Sequence, residues 1–210
     1  MANAQPRRTI LIATTNRGKH REIEAVMADL PVAWADLSDL PPMSDCIEDG
    51  DTFAANAEKK ALHFARLSGL WTLADDSGLE VDALGGEPGV YSARFAGEPR
   101  SDANNNARLV SMLAGIAPEQ RTARFRCALA IADPKGILAR ADGIVEGVII
   151  DEARGSNGFG YDPHFLVPSL GRTAAELPPQ EKNRISHRGK ALQTIRGPLL
   201  RLLDNAPASS

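Results

Sequence analysis

A short apolar run near the start of the chain leads straight into a segment with helical periodicity. Residues 9–14 (TILIAT) are mainly aliphatic or β-branched, which predicts a buried strand. The next two residues, Thr15 and Asn16, are both able to cap a helix. Hydrophobic side chains then recur at the spacing of one helix face, at Ile23, Val26, Met27 and Leu30. A strand followed directly by an amphipathic helix favours an α/β fold.

The same kinds of pattern predict most of the other elements. We expect a second helix from the cap residue Thr52 to about Gly69, and a third helix, capped by Ser101, across 102–114. Strands are predicted at 32–35, 71–75, 121–132 and, in two segments, 136–151. A turn should follow at 76–78, because Asp-Ser-Gly is a common turn composition. The expected class is mixed α/β with an antiparallel portion.

The last helix should begin near Ser186 and should not continue undisturbed to its end. Pro198 has no N–H to donate, and its ring clashes with the carbonyl group of the preceding turn. We therefore expect a kink or a break near Gly197.

Length and charge narrow the class of protein. The chain has 210 residues, of which 43% are hydrophobic, and this is enough for one substantial core. Because no linker-like stretch divides it, we interpret 9–203 as a single domain with flexible ends at 1–8 and 204–210. The net charge of −3 favours neither a protein that coats a nucleic acid polymer nor one that binds an anionic membrane.

The two cysteines and the first residues indicate the compartment. Cys46 and Cys127 are far apart and in no CxxC arrangement, so they predict neither a thiolate metal site nor a disulfide framework. The apolar run at the start is too short, and too rich in threonine, for a signal peptide or a membrane-spanning helix. We expect a cytoplasmic protein.

The junction between the first strand and the first helix is a candidate anion site. It consists of Thr14, Thr15, Asn16, Arg17, Gly18 and Lys19. The N–H groups and the dipole at a helix N-terminus attract anions, and Lys19 adds a positive charge. The segment is not a Walker A loop, since the leading glycine is missing and His20 follows the lysine. The alternative is an ordinary capped helix with solvated basic residues.

Two adjacent aspartates, Asp75 and Asp76, form a candidate metal site at the end of a predicted strand. Mg²⁺ prefers carboxylate oxygens together with waters and substrate phosphates, and an aspartate could also take a proton from an attacking water. Glu48, in the acidic loop before the second helix, is a candidate second ligand, and Lys60 on that helix could reach a phosphate. The alternatives are a turn, acidic residues that favour the helix dipole, and a solvated helix face.

The segment GSNGFGYDP, at 155–163, places three glycines around two aromatic residues. Glycine weakens a strand interior, so the segment suits a loop whose backbone meets a ligand while an aromatic side chain stacks on a flat ring. The alternative is a glycine-rich hairpin in which Phe159 and Tyr161 anchor the core.

The segment EKNRISHRGK, at 181–190, places four cations and a histidine around a predicted helix start. Cations at a helix N-terminus oppose the dipole, which favours a phosphate or a base as a nearby ligand. Taken alone, His187 would more often be structural. Together with Arg188 it is a candidate for recognising the carbonyl oxygens of a base.

Four motifs, in this order, resemble the inosine/xanthosine triphosphate pyrophosphatase family, which removes deaminated purines from the nucleotide pool. They are TTNRGKxxE, LADDSGLEVDALGGEPGVYSARFAG, GSNGFGYDPHF and EKNRISHRGKAL, and the resemblance covers about residues 9–203. It implies an α/β fold with an elongated, curved mixed sheet flanked by helices, two lobes with a central cleft, and a homodimer. It also implies Mg²⁺-dependent hydrolysis of the α–β phosphate bond of ITP, dITP and XTP.

The resemblance assigns roles to particular residues. Thr14, Thr15, Asn16, Arg17, Gly18 and Lys19 would bind the triphosphate. Asp76 would be the proton acceptor and a metal ligand, with Glu48 sharing the metal. Independently of the resemblance, we expect Asp75 to have a supporting role, because adjacent residues of a strand cannot both face one cleft unless the strand bends. Ser77 and Lys60 would contact the substrate. The base would be held by Phe159, Gly160, Tyr161 and Asp162, and base and phosphate binding would be completed by Lys182, His187 and Arg188.

Two positions depart from the family pattern, and two other functions stay open. Pro198 falls in the last helix, and His164 stands where an aliphatic residue is expected. One alternative function is that of a septum-inhibition-type pyrophosphatase acting on modified pyrimidine nucleotides, which would lack the Ser-His-Arg segment. The other is a nucleotide-binding regulator without turnover.

Overall fold

The computed structural model describes residues 8–205, and these form seven strands, five α-helices and several short 3₁₀ turns. In chain order the main elements are β1 (Arg8–Ile12), α1 (Arg17–Met27), β2 (Val32–Asp36), α2 (Phe53–Ser68), β3 (Trp71–Val81), α3 (Asp102–Met112), β4 (Thr122–Asp133), β5 (Gly136–Ile149), β6 (Phe165–Val167), β7 (Arg172–Thr173), α4 (Pro179–Ile185) and α5 (His187–Asn205). Within 8–205, no helix is both long and apolar enough to cross a membrane.

The strands form one mixed sheet in the order β2-β1-β3-β4-β5-β6-β7. β1 pairs in parallel with β2 and with β3, whereas β6 pairs antiparallel with both β5 and β7. The predicted mixed α/β class with an antiparallel portion is therefore confirmed.

The chain forms two compact units. Within the described residues, the first unit comprises 8–76, 128–142 and 191–205, and its buried apolar side chains come mainly from β1, α2, β4 and α5. The second comprises 77–127 and 143–190, and its core is one cluster that includes Leu79, Leu109, Phe125 and Phe165. Strands β3, β4 and β5 contribute residues to both units. The single domain and the central cleft stay predictions.

Each predicted helix start is capped as its sequence indicates. The Asn16 side chain accepts hydrogen bonds at the start of α1, Thr52 Oγ1 accepts one from Ala55 N at 3.1 Å, and Ser101 Oγ accepts one from Asn104 N. Helix α2 ends at Gly69, which has a φ of 73°. These capping signals depend on residues within one helical turn, so they can be recognised from the local sequence.

Strand β3 does not turn at Asp76-Ser77-Gly78, and that prediction is wrong. The strand continues from Trp71 to Val81, and eight of its eleven residues are buried. Burial on both faces favours the extended backbone over the turn that the local composition suggested. The strand segment after residue 136 is likewise one strand rather than two.

The last helix also differs from its prediction. A short helix, α4, precedes Ser186, and α5 then runs without a break from His187 to Asn205 with Pro198 inside it. The helix therefore has no break near Gly197, and the alternative prediction of a kink there stays a prediction. Leu192, Ile195 and Leu199 are fully buried along α5, so tertiary packing holds the helix together across the proline.

The predicted flexible ends, 1–8 and 204–210, lie mostly outside the described residues. At their inner limits, Arg8 belongs to β1 and residues 204 and 205 belong to α5.

Candidate functional site

The junction of β1 and α1 is a tightly hydrogen-bonded cap. Thr14 Oγ1 accepts a hydrogen bond from Asn16 N at 3.1 Å, and Asn16 Oδ1 accepts from Gly18 N at 2.8 Å and from Lys19 N at 3.1 Å. Thr15, Asn16 and Arg17 are exposed around this cap. Two of the N–H groups that could meet an anion are therefore already bound by the chain itself.

Lys19 reaches from α1 to β3 and pairs with Asp75. Its Nζ lies 2.6 Å from Asp75 Oδ1, and the side chain of Asp75 is completely buried. A buried carboxylate needs such a partner, because an isolated buried charge is very costly. Asp75 thus holds the Lys19 ammonium in place.

Asp76 lies next to Asp75 on β3 and has a different environment. Only 7% of Asp76 is exposed, and this burial raises the pKa of its carboxyl group above the usual value. The charges of Lys19 and Lys60 oppose the rise, whereas Glu48 adds to it. A raised pKa makes a carboxylate a better proton acceptor near neutral pH.

Glu48 and Lys60 form a second charged pair close to Asp76. Glu48 Oε2 lies 2.9 Å from Lys60 Nζ, and the Lys60 side chain is largely buried on α2. Because both residues act electrostatically on Asp76, the structure brings together the acidic pair Asp76 and Glu48 with two lysines.

This donor set fits Mg²⁺. Among residues 8–205 there is no group of three or more His, Cys, Asp or Glu side chains that could enclose a metal ion. Mg²⁺ is usually bound by one or two carboxylates plus waters and substrate phosphates, so Asp76 and Glu48 suffice.

Sequence reasoning missed the role of Asn56. This side chain is 2% exposed on α2, its Oδ1 accepts from Gly50 N at 2.8 Å, and its Nδ2 donates to Gly50 O at 3.3 Å. The only signal in the sequence was that Thr52, Asn56 and Lys60 share one helix face, which solvated residues would explain equally well.

In the second unit, Asp162 organises the glycine-rich loop. Asp162 Oδ2 accepts from Phe159 N at 2.9 Å and lies 2.6 Å from Lys182 Nζ. Gly158 has a φ of 78°, and a Cβ there would lie 2.1 Å from Asp162 Oδ2. The loop therefore requires glycine at that position.

Two cations lie over the ring of Phe159. Lys182 Nζ is 4.9 Å and Arg188 Cζ is 5.7 Å from the ring centroid. Arg188 is 1% exposed, and its Nη2 donates to Ser77 Oγ at 2.7 Å. Phe159, Lys182, Arg188 and Ser77 thus form one group, in which a partly exposed flat ring is bordered by hydrogen-bond donors.

Tyr161 and His187 are held by the core of the second unit. The Tyr161 hydroxyl donates to Ser92 O at 2.8 Å, and burial raises the pKa of this hydroxyl. The His187 ring stacks on Phe125, with 4.9 Å between centroids. Direct contact of either residue with a base stays a prediction.

A pair of residues on α3 holds the same loop and was also missed. Asp102 Oδ2 accepts from Gly160 N at 2.7 Å, and Asn106 Nδ2 donates to Gly160 O at 2.8 Å. These contacts join positions more than fifty residues apart, so no local pattern could reveal them. The unusual His164 is buried beyond the loop, with Nδ1 2.9 Å from Ile150 O.

Comparison with known proteins gives close matches over nearly the whole chain. A model of the Ham1 family matches residues 10–197. A dITP/XTP pyrophosphatase of Desulforamulus reducens is 53% identical over 184 residues, which is 88% of this chain and 92% of that protein. A second, from Geobacter sulfurreducens, is 51% identical over 89% of this chain and 94% of its own length. The solved structure of a HAM1 protein from Coxiella burnetii is 41% identical, with a TM-score of 0.82 over 92% of this chain and 99% of that one.

Proposed function

The chain belongs to the Ham1 family, and from this membership we propose that it hydrolyses dITP, XTP and ITP to the monophosphate and pyrophosphate. The family resemblance predicted from the motifs is confirmed. The relatives are dITP/XTP pyrophosphatases, which indicates that the protein is a nucleoside-triphosphate pyrophosphatase. The alternative of a pyrophosphatase for modified pyrimidine nucleotides is not favoured by these matches.

The observation that carries the proposal is the buried Asp76 beside Glu48, Lys19 and Lys60. Asp76 and Glu48 would hold Mg²⁺, which when bound supplies Lewis-acid stabilisation of charge on the phosphate oxygens. Asp76 orients the attacking water and takes its proton. Lys19 and Lys60 lower the energy of the negative charge that develops on the leaving pyrophosphate.

The second unit supplies the residues for base recognition. The Phe159 ring stacks on the purine, while Lys182 and Arg188 present donors that suit a 6-keto oxygen. Adenine carries an amino group at that position, so two donors would face each other. Each unsatisfied buried group costs about 1–3 kcal/mol, which is enough to discriminate against ATP.

A product-resolved assay across a nucleotide panel tests this function. With Mg²⁺, the purified protein should release pyrophosphate from dITP, XTP and ITP much faster than from ATP or GTP. Release of orthophosphate would place the cleaved bond elsewhere. Binding of the nucleotides with no release from any of them would favour a regulator without turnover.

The predicted homodimer and the cytoplasmic location are part of the same proposal. The homodimer rests on the family resemblance. Light scattering coupled to size-exclusion chromatography, across a range of concentrations, should give twice the mass of one chain.

A further inference from the structure

Asn56 joins two parts of the chain that carry the proposed metal ligands. The loop between β2 and α2 contains Glu48 and has no regular structure around it. Two residues beyond Glu48, the backbone of Gly50 is bound at both its N–H and its C=O by the Asn56 amide. The same Asn56 side chain also makes a hydrogen bond to the carboxylate of Asp76 on β3.

These contacts use both the acceptor and the donors of the Asn56 amide. The oxygen accepts from Gly50 N and one N–H donates to Gly50 O, and a planar amide has a second N–H to offer the Asp76 carboxylate. No other neutral side chain of this length offers one acceptor and two donors in a plane. Because Asn56 is 2% exposed on a sixteen-residue helix, its position is set by the packing of α2.

A second contact from α2 also holds the loop that contains Glu48. Lys60 lies one helical turn after Asn56 and pairs with Glu48 at 2.9 Å. One face of α2 therefore holds both the backbone of the loop and the charge of Glu48, while the Asn56 amide reaches Asp76.

We propose that Asn56 is a positioning residue that holds the Glu48 loop at the distance from Asp76 needed for both carboxylates to bind one divalent cation. The inference rests on the proposed function, since it takes Asp76 and Glu48 as the metal ligands. Asn56 itself does not contact the metal in this assignment. Hydrogen-bonding partners of this kind typically change metal affinity about 10- to 100-fold when they are removed.

Mn²⁺ binding, measured by electron paramagnetic resonance without nucleotide, tests the inference separately from turnover. Asn56→Ala should weaken Mn²⁺ binding about 10- to 100-fold in protein that is still folded by circular dichroism. A second variant acts from the other side of the contact. At Gly50→Ala the new Cβ would lie 2.8 Å from Asn56 Oδ1 and 3.0 Å from Ala55 Cβ, so the loop must shift, and Mn²⁺ affinity should fall as well.

Asn105 provides a matched control for the loss of a buried amide. It is 3% exposed, its Oδ1 accepts from Ala96 N, and its Nδ2 donates to two backbone carbonyls. Asn105→Ala should lower stability as Asn56→Ala does, yet leave Mn²⁺ affinity unchanged.

The outcomes separate the inference from the proposed function. Unchanged Mn²⁺ affinity in folded Asn56→Ala, or an equal loss in Asn105→Ala, overturns it. If Asn56→Ala does not fold, the Gly50→Ala result decides alone. If the unsubstituted protein binds no Mn²⁺, the inference fails together with the assignment of the metal ligands, while pyrophosphate release still judges the proposed function by itself.

Discussion

Removing the charge of Lys182 should destabilise the protein strongly. Lys182 Nζ lies 2.6 Å from Asp162 Oδ2, and the two side chains are only 7% and 4% exposed. Lys182→Met keeps most of the apolar stem but takes the nearest cation from a buried carboxylate. Breaking one side of a buried pair costs about 3–5 kcal/mol. For a chain of this length, about 2–4 °C per kcal/mol gives a fall in Tm of roughly 6–20 °C.

Guanidinium unfolding of the nucleotide-free protein gives the free energy directly. Asp162→Asn in the Lys182→Met background should restore much of the loss, because the neutral amide oxygen can still accept from Phe159 N. Arg140→Gln is the matched control. Its pair with Glu58 is equally short at 2.6 Å, but the side chains are 61% and 31% exposed. Exposed pairs contribute less than about 1 kcal/mol. A cost for Lys182→Met no larger than that for Arg140→Gln would refute the reasoning.

Four further substitutions test other features. Asp76→Asn should keep the fold and abolish pyrophosphate release; substantial residual activity would remove Asp76 as the base. Burial raises the pKa of the Asp76 carboxyl group, so its protonated form favours the folded state. This contribution to stability is complete below the unfolded pKa of 3.8 and is lost as the pH rises through the folded pKa. Metal-free Asp76→Asn should therefore be more stable than the unsubstituted protein at pH 7 in urea unfolding, with the gain vanishing near pH 3. Gly189→Ala would place a Cβ 1.8 Å from Asn183 O and should cost about 1–3 kcal/mol or more, whereas Gly197→Ala, with only Arg201 Nη1 at 3.6 Å, should stabilise by about 0.5–1 kcal/mol. Pro198→Ala should raise the free energy of unfolding by about 2–3 kcal/mol, and no gain would show that α5 tolerates the proline without strain.

The parts of the fold that could be predicted depend on neighbours in the sequence. Asn16, Thr52 and Ser101 each cap a helix by accepting from an N–H within three residues, so the signal and its effect lie in the same short segment. The same is true of the β1–α1 junction, whose apolar run and cap residues predict both elements.

The parts that could not be predicted depend on distant packing. Asp76-Ser77-Gly78 has the composition of a turn, but burial of the surrounding residues keeps β3 extended. The predicted break near Gly197 is absent for a similar reason, because the buried side chains of α5 pack against the rest of the first unit.

The candidate site also has a part that could be predicted from the sequence and a part that could not. The chemical types at Asp76, Glu48, Lys182 and Arg188 were visible as motifs. The residues that hold them were not, because Asn56 and the α3 residues Asp102 and Asn106 act on backbone atoms of remote loops. A side chain that binds backbone atoms needs no complementary side chain at the other end, and so leaves no paired signal in one sequence.

Lys19 pairs with Asp75, and Lys60 pairs with Glu48. These ion pairs affect how a triphosphate and a divalent cation bind to the first unit. With Asp76 included, two ammonium groups face three carboxylates, so these residues together carry a surplus of negative charge when all are ionised. A triphosphate alone meets no net positive charge from these five side chains and has to separate existing ion pairs to gain a lysine. A divalent cation reverses the sign of the field, so nucleotide and cation should each raise the affinity for the other, as linked ligands must.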